Sequence, residues 1–290
     1  MKKLNNIICL YEAKNQLGES PVWVDELNTI FWVDILESKI CSYQIYEKNF
    51  KEFEVPEKIG FIIHIKKFEF IGGLSSGLYY IDLTNKIFNK IPGANIKNKK
   101  LRINDGKCDA LGNLWFGTID DTKKIKGNLY FYKNNSSIIC KSSNFITPNG
   151  PTFSPDNKTI YFTDSGKKEI YSSVLKENNL KDKKIFMKFP KKFGSPDGMT
   201  IDEEGFLWVA FYGDYCVRRI SPKGDIVMKI DLPVSNITSC AFGGKNLETL
   251  FITSAKKDLK ESELFEQKLA GSIFCVNTGY KGIIQKKFIM

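Results

Sequence analysis

The chain has 290 residues, of which 42% are hydrophobic and 13% aromatic, and 43 Lys and Arg stand against 33 Asp and Glu for a net charge of +10. That apolar content argues against a disordered chain, and no apolar run approaches the length of a membrane span. The positive charge is dispersed, with short clusters such as Lys97-Asn-Lys-Lys100 and Lys181 to Lys184 and no aromatics interleaved with them, so neither a nucleic-acid track nor a membrane partner is expected.

The N-terminus opens with Met1-Lys2-Lys3, but its apolar run is only Ile7 to Leu10, with Glu12 and Lys14 close behind. It offers no signal-peptide core, and a cytoplasmic location is expected. Seven cysteines without a C-x-x-C pair fit free thiols in a reducing compartment.

One pattern then recurs along the chain: a turn rich in Asp, Asn or Gly, followed by a compact aromatic strand. It spans Asp25 to Asp34, then less clearly Lys67 to Gly73, then Asp109 to Thr118, Ser154 to Asp164, Asp202 to Ala210 and Gly243 to Thr253. The spacing of roughly 40–47 residues is that of four-stranded propeller blades. An alternating strand follows each unit, at Lys39 to Ile45, Gly77 to Asp82, Gly127 to Tyr132, Glu169 to Val174, Cys216 to Ile220 and Gly271 to Val276, which reads as antiparallel hairpins. No long amphipathic helical pattern interrupts them. The expectation is all-β: a six-bladed β-propeller in a single domain over 1–290, closed by a first strand near Ile7 to Glu12 pairing with the C-terminal strands.

Eleven to thirteen positions before each central strand lies the entry to the blade's inner strand, which lines a propeller's channel. In four units that position is polar: Glu19, Asn104, Asn149 and Asp197. In the other two it falls near Ile59-Gly60-Phe61 and Ser239-Cys240. Equivalent positions of a closed repeat converge on one axis, so two carboxylates and two amides are expected to meet there. These oxygen donors suit one hard divalent cation, Ca²⁺, Mg²⁺ or Mn²⁺, with Zn²⁺ also able to accept carboxylates. With His64 the one histidine, a histidine-rich site is excluded. The competing reading is that Asn-Gly and Asp-Gly are turn pairs. Asp202, in a turn of the same blade as Asp197 but at another phase, is expected to face away from the channel and to tolerate Asp202→Asn.

At these residues the sequence resembles the SMP-30/gluconolactonase/LRE, or regucalcin, family. The resemblance covers nearly the whole chain through Gly18-Glu-Ser-Pro-Val-Trp23, Phe31-Trp-Val-Asp34, Arg102-Ile-Asn-Asp-Gly-Lys107, Gly117-Thr118, Pro148-Asn-Gly150, Phe162-Thr-Asp164, Pro196-Asp-Gly198 and Cys240-Ala-Phe-Gly-Gly244. It implies a central metal site with ligands Glu19, Asn149 and Asp197, and substrate contacts from Arg102 and Asn104. An acidic substrate contact after Gly117-Thr118 falls on Asp120 or Asp121, both left open. The implied reaction is hydrolysis of a small sugar lactone such as gluconolactone, with the metal polarising the carbonyl and Asp197 activating water. For Arg102 a purely structural ion pair with Asp105 or Asp109 is the alternative. A phosphotriesterase-like hydrolase in a more apolar pocket and a non-catalytic calcium-binding propeller are the rival functions.

Overall fold

The computed structural model describes residues 2–4 and 6–290. Six sheets follow one another along the chain, antiparallel and with their strands in sequence order apart from two N-terminal strands that join the fifth and sixth. The first blade comprises Gly18–Val24, Thr29–Asp34, Lys39–Gln44 and Asn49–Glu54, the second Ile59–Lys66, Glu69–Leu74, Gly77–Asp82 and Ile87–Asn95. The third holds Arg102–Cys108, Leu114–Ile119, Gly127–Tyr132 and Ile139–Phe145, the fourth Pro148–Phe153, Thr159–Asp164, Glu169–Lys176 and Asn179–Lys188. The fifth holds Ser195–Ile201, Leu207–Tyr212, Cys216–Ile220 and Ile226–Asp231, and the sixth Ile237–Gly243, Thr249–Ser254 and Ile273–Asn277. The first strand of each blade packs against the first strand of the next, and that of the sixth packs against that of the first, so the blades form a closed ring: a six-bladed β-propeller.

Ile8–Tyr11 completes the sixth blade by pairing antiparallel with Ile273–Asn277, Ile8 opposite Cys275 and Tyr11 opposite Ile273. The two ends of the chain thus close the ring as the sequence led one to expect. Lys2–Leu4 adds a further parallel strand to the outer edge of the fifth blade. A short helix, Glu261–Glu266, interrupts the otherwise all-β chain within the sixth blade's last hairpin. Among the described residues no helix is long and apolar enough to cross a membrane.

The repeated aromatic strands fill the space between blades. Trp32, Trp115 and Trp208 occupy equivalent second strands and are fully buried. A buried indole needs an acceptor, and each has one: Asn15 Oδ1 at 2.7 Å, Asp109 Oδ2 at 3.1 Å and Asp202 Oδ2 at 2.9 Å. Asp202 faces away from the channel as expected, but it is not a neutral turn residue. It is fully buried, accepts the N–H groups of Glu204 at 3.1 Å and Phe206 at 2.9 Å, and pairs with Arg219 Nε at 2.8 Å. The expectation that Asp202→Asn is silent is therefore withdrawn, because removing the charge takes from buried Arg219 the more deeply buried of its two carboxylate partners, leaving Glu204 at 2.6 Å.

Every inner strand carries one extra residue relative to its neighbour. The pairing slips between Glu19 and Val22, Ile59 and Phe61, Ile103 and Gly106, Asn149 and Thr152, Pro196 and Met199, and Ile237 and Ser239. A bulge of this kind bends the strand and re-aims a side chain. These six bulges lie at the phase picked out by the polar positions. Gly150 shows why the residue types matter: it sits at φ +48°, where a Cβ would also meet Met199 N at 3.0 Å. At Gly198 a Cβ would lie 2.2 Å from Ser239 Oγ.

Candidate active site at the open end of the channel

The bulges bring Glu19, Asn104, Asn149 and Asp197 to one cavity of about 300 Å³, which Arg102, Asp121, Ser165, Tyr212, Lys58, Lys257 and Asp258 also line. Its floor is a chain of directed contacts. Arg102 donates through Nη1 to Asn104 Oδ1 at 2.9 Å and to Ile103 O at 3.0 Å, and through Nε to Asp121 Oδ1 at 2.8 Å. Asn104 Nδ2 donates to Pro148 O at 3.0 Å and, more closely, to Asn149 Oδ1. Asn149 Nδ2 donates in turn to Ser165 Oγ at 2.8 Å. Each amide is thereby fixed in orientation, with its carbonyl oxygen assigned a direction by its neighbour's donor.

The two carboxylates of the set are treated differently. Glu19 Oε2 accepts the Ser20 N–H at 2.9 Å. Asp197 Oδ1 is buried and finds no hydrogen-bond donor among the described residues. Burial pushes the Glu19 carboxyl well above its ordinary pKa, with Asp197 and then Asp105 adding to the rise. Burial likewise pushes Asp197 up, with Asp105 adding to it. Two buried acids beside each other, one with an orphaned oxygen, are costly as protein alone. A divalent cation between them opposes these costs by supplying positive charge and a partner for the orphaned oxygen, and the donors present are the hard oxygens such an ion takes. The residues therefore fit a cation. With one amide and two carboxylates, the set contains no cluster of three His, Cys, Asp or Glu side chains among the described residues.

Of the two acids following Gly117-Thr118, Asp121 lines the cavity, pairing with Arg102 and with Lys58 Nζ at 3.2 Å. Asp120 is spent inside its own loop, accepting the N–H groups of Thr122 at 2.9 Å, Lys124 at 3.0 Å and Ile125 at 2.9 Å. The Thr122 contacts and these loop N–H groups lower its pKa to about 2. Of the two residues left open, Asp121 is thus the one at the cavity, and the oxygens of Asp120 are engaged by its own loop. The Arg102 ion pair also differs from the alternatives: Asp105 is committed to Gly106 N at 2.7 Å and Gly150 N at 2.6 Å, and Asp109 to Asn113 and Trp115.

Asp105 and Lys107 went unremarked as site residues although both lie inside the Arg102 to Lys107 motif. Asp105 braces the bulges of two blades from below the floor, and Lys107 donates to Met199 O beneath it. Burial lowers the Lys107 pKa, and Asp105 opposes the shift. Tyr212, Lys257 and Asp258 were also unmarked, because they come from a strand end and an irregular connection that no repeat phase predicts.

A family model described as "SMP-30/Gluconolactonase/LRE-like region" matches residues 17–256. A Bacillus subtilis protein named as a presumed sugar lactone lactonase is 32% identical over 267 residues, covering 91% of each chain. The 6-deoxy-6-sulfogluconolactonase of Pseudomonas putida is 28% identical over 283 residues, covering 97% of each. Among solved structures, a calcium-binding protein, regucalcin, from Agrobacterium tumefaciens superposes with a TM-score of 0.93 at 23% identity, over 99% of this chain and 98% of that one. With the motifs carried on matching bulges and the family model spanning most of its length, the chain belongs to the SMP-30/gluconolactonase/LRE-like family.

Proposed function

We propose that this protein hydrolyses a small sugar lactone to the aldonic acid in the cavity at the open end of its channel, using one divalent cation held by Glu19, Asn149 and Asp197. The observation that carries the reading is the Asp197 carboxylate, buried with one oxygen lacking a donor, at the floor of a cavity the size of a monosaccharide and beside a wall of hydrogen-bonding groups. The activities named for the relatives from Bacillus subtilis and Pseudomonas putida support it.

When bound, the cation supplies positive charge to the oxyanion that develops as a lactone carbonyl is attacked. Asp197 holds the attacking water and takes its proton. Cation binding makes any carboxylate a weaker base, and the Asp105 carboxylate beside Asp197 works against that loss. Arg102 has its Nε and Nη1 groups committed to Asp121, Ile103 and Asn104, which fixes the plane of the guanidinium and leaves Nη2 to donate to substrate hydroxyls. Asp121 and the Asn104 amide complete a polar wall. That wall favours a polyhydroxylated lactone over the apolar esters of a phosphotriesterase-like reaction.

The test is a panel of aldonolactones assayed for acid release with Ca²⁺, Mg²⁺, Mn²⁺ and Zn²⁺ in turn and with chelator. Ring opening above the spontaneous rate, lost with chelator and restored by cation, is expected. Cation binding with no lactone opened would instead identify a non-catalytic cation-binding propeller.

A further inference from the structure

The wall opposite Arg102 is built by a different part of the chain. The third and sixth blades face each other across a six-bladed ring, and the sixth blade's last connection, residues 255–272, reaches the cavity through Lys257 and Asp258. That connection is pinned where it meets the cavity. Lys257 N donates to Gln16 O at 2.9 Å, Asn236 Nδ2 donates to Lys257 O at 2.8 Å, and the Tyr212 hydroxyl lies 2.7 Å from Lys257 O and 2.9 Å from Asp258 Oδ2. Lys257 Nζ also sits 3.1 Å from Asp258 Oδ2. Oδ2 is thus doubly engaged, while Oδ1 has no partner among the described residues and the side chain is 60% exposed. Desolvation works to raise the Asp258 pKa, but hydrogen bonds from Lys257 and Tyr212 and the charges of Lys257 and Lys123 outweigh it and keep the group an ionised acceptor. Lys123 belongs to the third blade's loop and faces Asp258 from the other side of the mouth.

A 1,5-lactone ring has two unlike edges. With its carbonyl carbon turned down to Asp197, the C2 and C3 hydroxyls lie on one side and the ring oxygen and C5 on the other. A six-carbon sugar carries its hydroxymethyl arm on that second side, and a five-carbon 1,5-lactone carries nothing there. Arg102 and Asn104 are donors and acceptors suited to the first edge. Resting on the lactonase reading above, the geometry points to Asp258 as the specificity-determining residue of this site, its Oδ1 accepting the exocyclic hydroxyl of a six-carbon lactone while Tyr212 and Lys257 hold the carboxylate in place. A hydrogen bond to a charged acceptor is worth about tenfold in binding or more.

The experiment compares glucono-1,5-lactone with xylono-1,5-lactone at saturating cation, in wild type, Asp258→Asn and Tyr212→Phe. Asp258 has φ +66°, a conformation Asn adopts readily, so the variant retains the turn. Wild type is expected to prefer the six-carbon lactone in kcat/KM. Asp258→Asn raises KM for that substrate about tenfold with little change in kcat, and leaves the five-carbon lactone nearly unaffected. Tyr212→Phe removes one of the two groups that hold Asp258 Oδ2, and is expected to raise KM for the six-carbon lactone in the same direction by a smaller factor. Equal losses for both lactones in Asp258→Asn, or unchanged selectivity, would overturn the assignment. No turnover of either lactone by wild type would instead overturn the lactonase reading beneath it.

Discussion

The two ends of the central channel are made by the same six inner strands and have opposite characters. At the open end the bulges turn Glu19, Asn149 and Asp197 inward, and one buried oxygen is left without a donor. At the base, residues 278–290 run across the ring as a strap. Gly282 N donates to Leu247 O at 2.8 Å, Glu203 N to Lys281 O at 2.9 Å, Gln285 Nε2 to Pro21 O at 3.1 Å and Phe288 N to His64 O at 3.2 Å. Those contacts reach the sixth, fifth, first and second blades, and Phe288 stacks on Tyr132 of the third with centroids 6.0 Å apart. Strap residues line cavities of about 140 Å³ and 210 Å³ against the blades. The base ties its backbone groups to the strap, and the open end keeps a buried carboxylate oxygen without a donor, a division between structural and reactive surface.

That contrast is broken most directly by charge removal at the open end. Asp197→Asn keeps shape and an oxygen ligand but loses the proton acceptor, and lactone hydrolysis at saturating cation should fall about 10²–10⁴-fold with the fold intact by circular dichroism. Asp182→Asn is the matched control, since Asp182 is an exposed residue at φ +50° in a bulge of the fourth blade's outer strand. Near-full activity in Asp197→Asn would leave Asp197 a purely structural ligand. Asp202→Asn should do the reverse, costing about 1–3 kcal/mol of stability by weakening the buried contact to Arg219 Nε while Glu204 still pairs with Nη2, read as a lower urea midpoint, with kcat/KM of the folded fraction preserved.

At the base, Phe288→Ala should cost about 3 kcal/mol and lower Tm, again without changing kcat/KM. An unchanged Tm would mean the strap lies on the ring without holding it. The smallest effect concerns His64, which lies under the strap. Burial, and then the nearby Lys287 charge, lower its pKa. The unfolded chain therefore takes up a proton that the folded chain resists, so this contribution is whole above the ordinary histidine value of about 6.5 and is lost as pH falls from there through the lower folded value. His64→Gln should flatten the change in urea midpoint between about pH 7.5 and pH 5.5. An identical slope in the variant would place that pH dependence elsewhere.

The sequence disclosed these two ends unequally. The blades were legible because the aromatic second strands repeat with their turns, even in the weak unit from Lys67 to Gly73. The polar floor was legible because a closed ring converts one repeat phase into one place. The choice between Asp120 and Asp121 was not, since adjacent residues of a loop differ only in which one folds back on the backbone. Asp258 and Tyr212 were hidden because an insertion of irregular length obeys no phase. The strap was hidden because residues 278–290 have no period and acquire meaning only from the base they cover.

The central claim is that Glu19, Asn149 and Asp197 hold one cation at the open end. Anomalous diffraction from crystals soaked in Mn²⁺ tests it directly. One peak in the channel is expected, with a side-chain oxygen of each residue at about 2.0–2.6 Å from it. A peak that omits any of the three, or none in the channel at saturating Mn²⁺, would contradict the account.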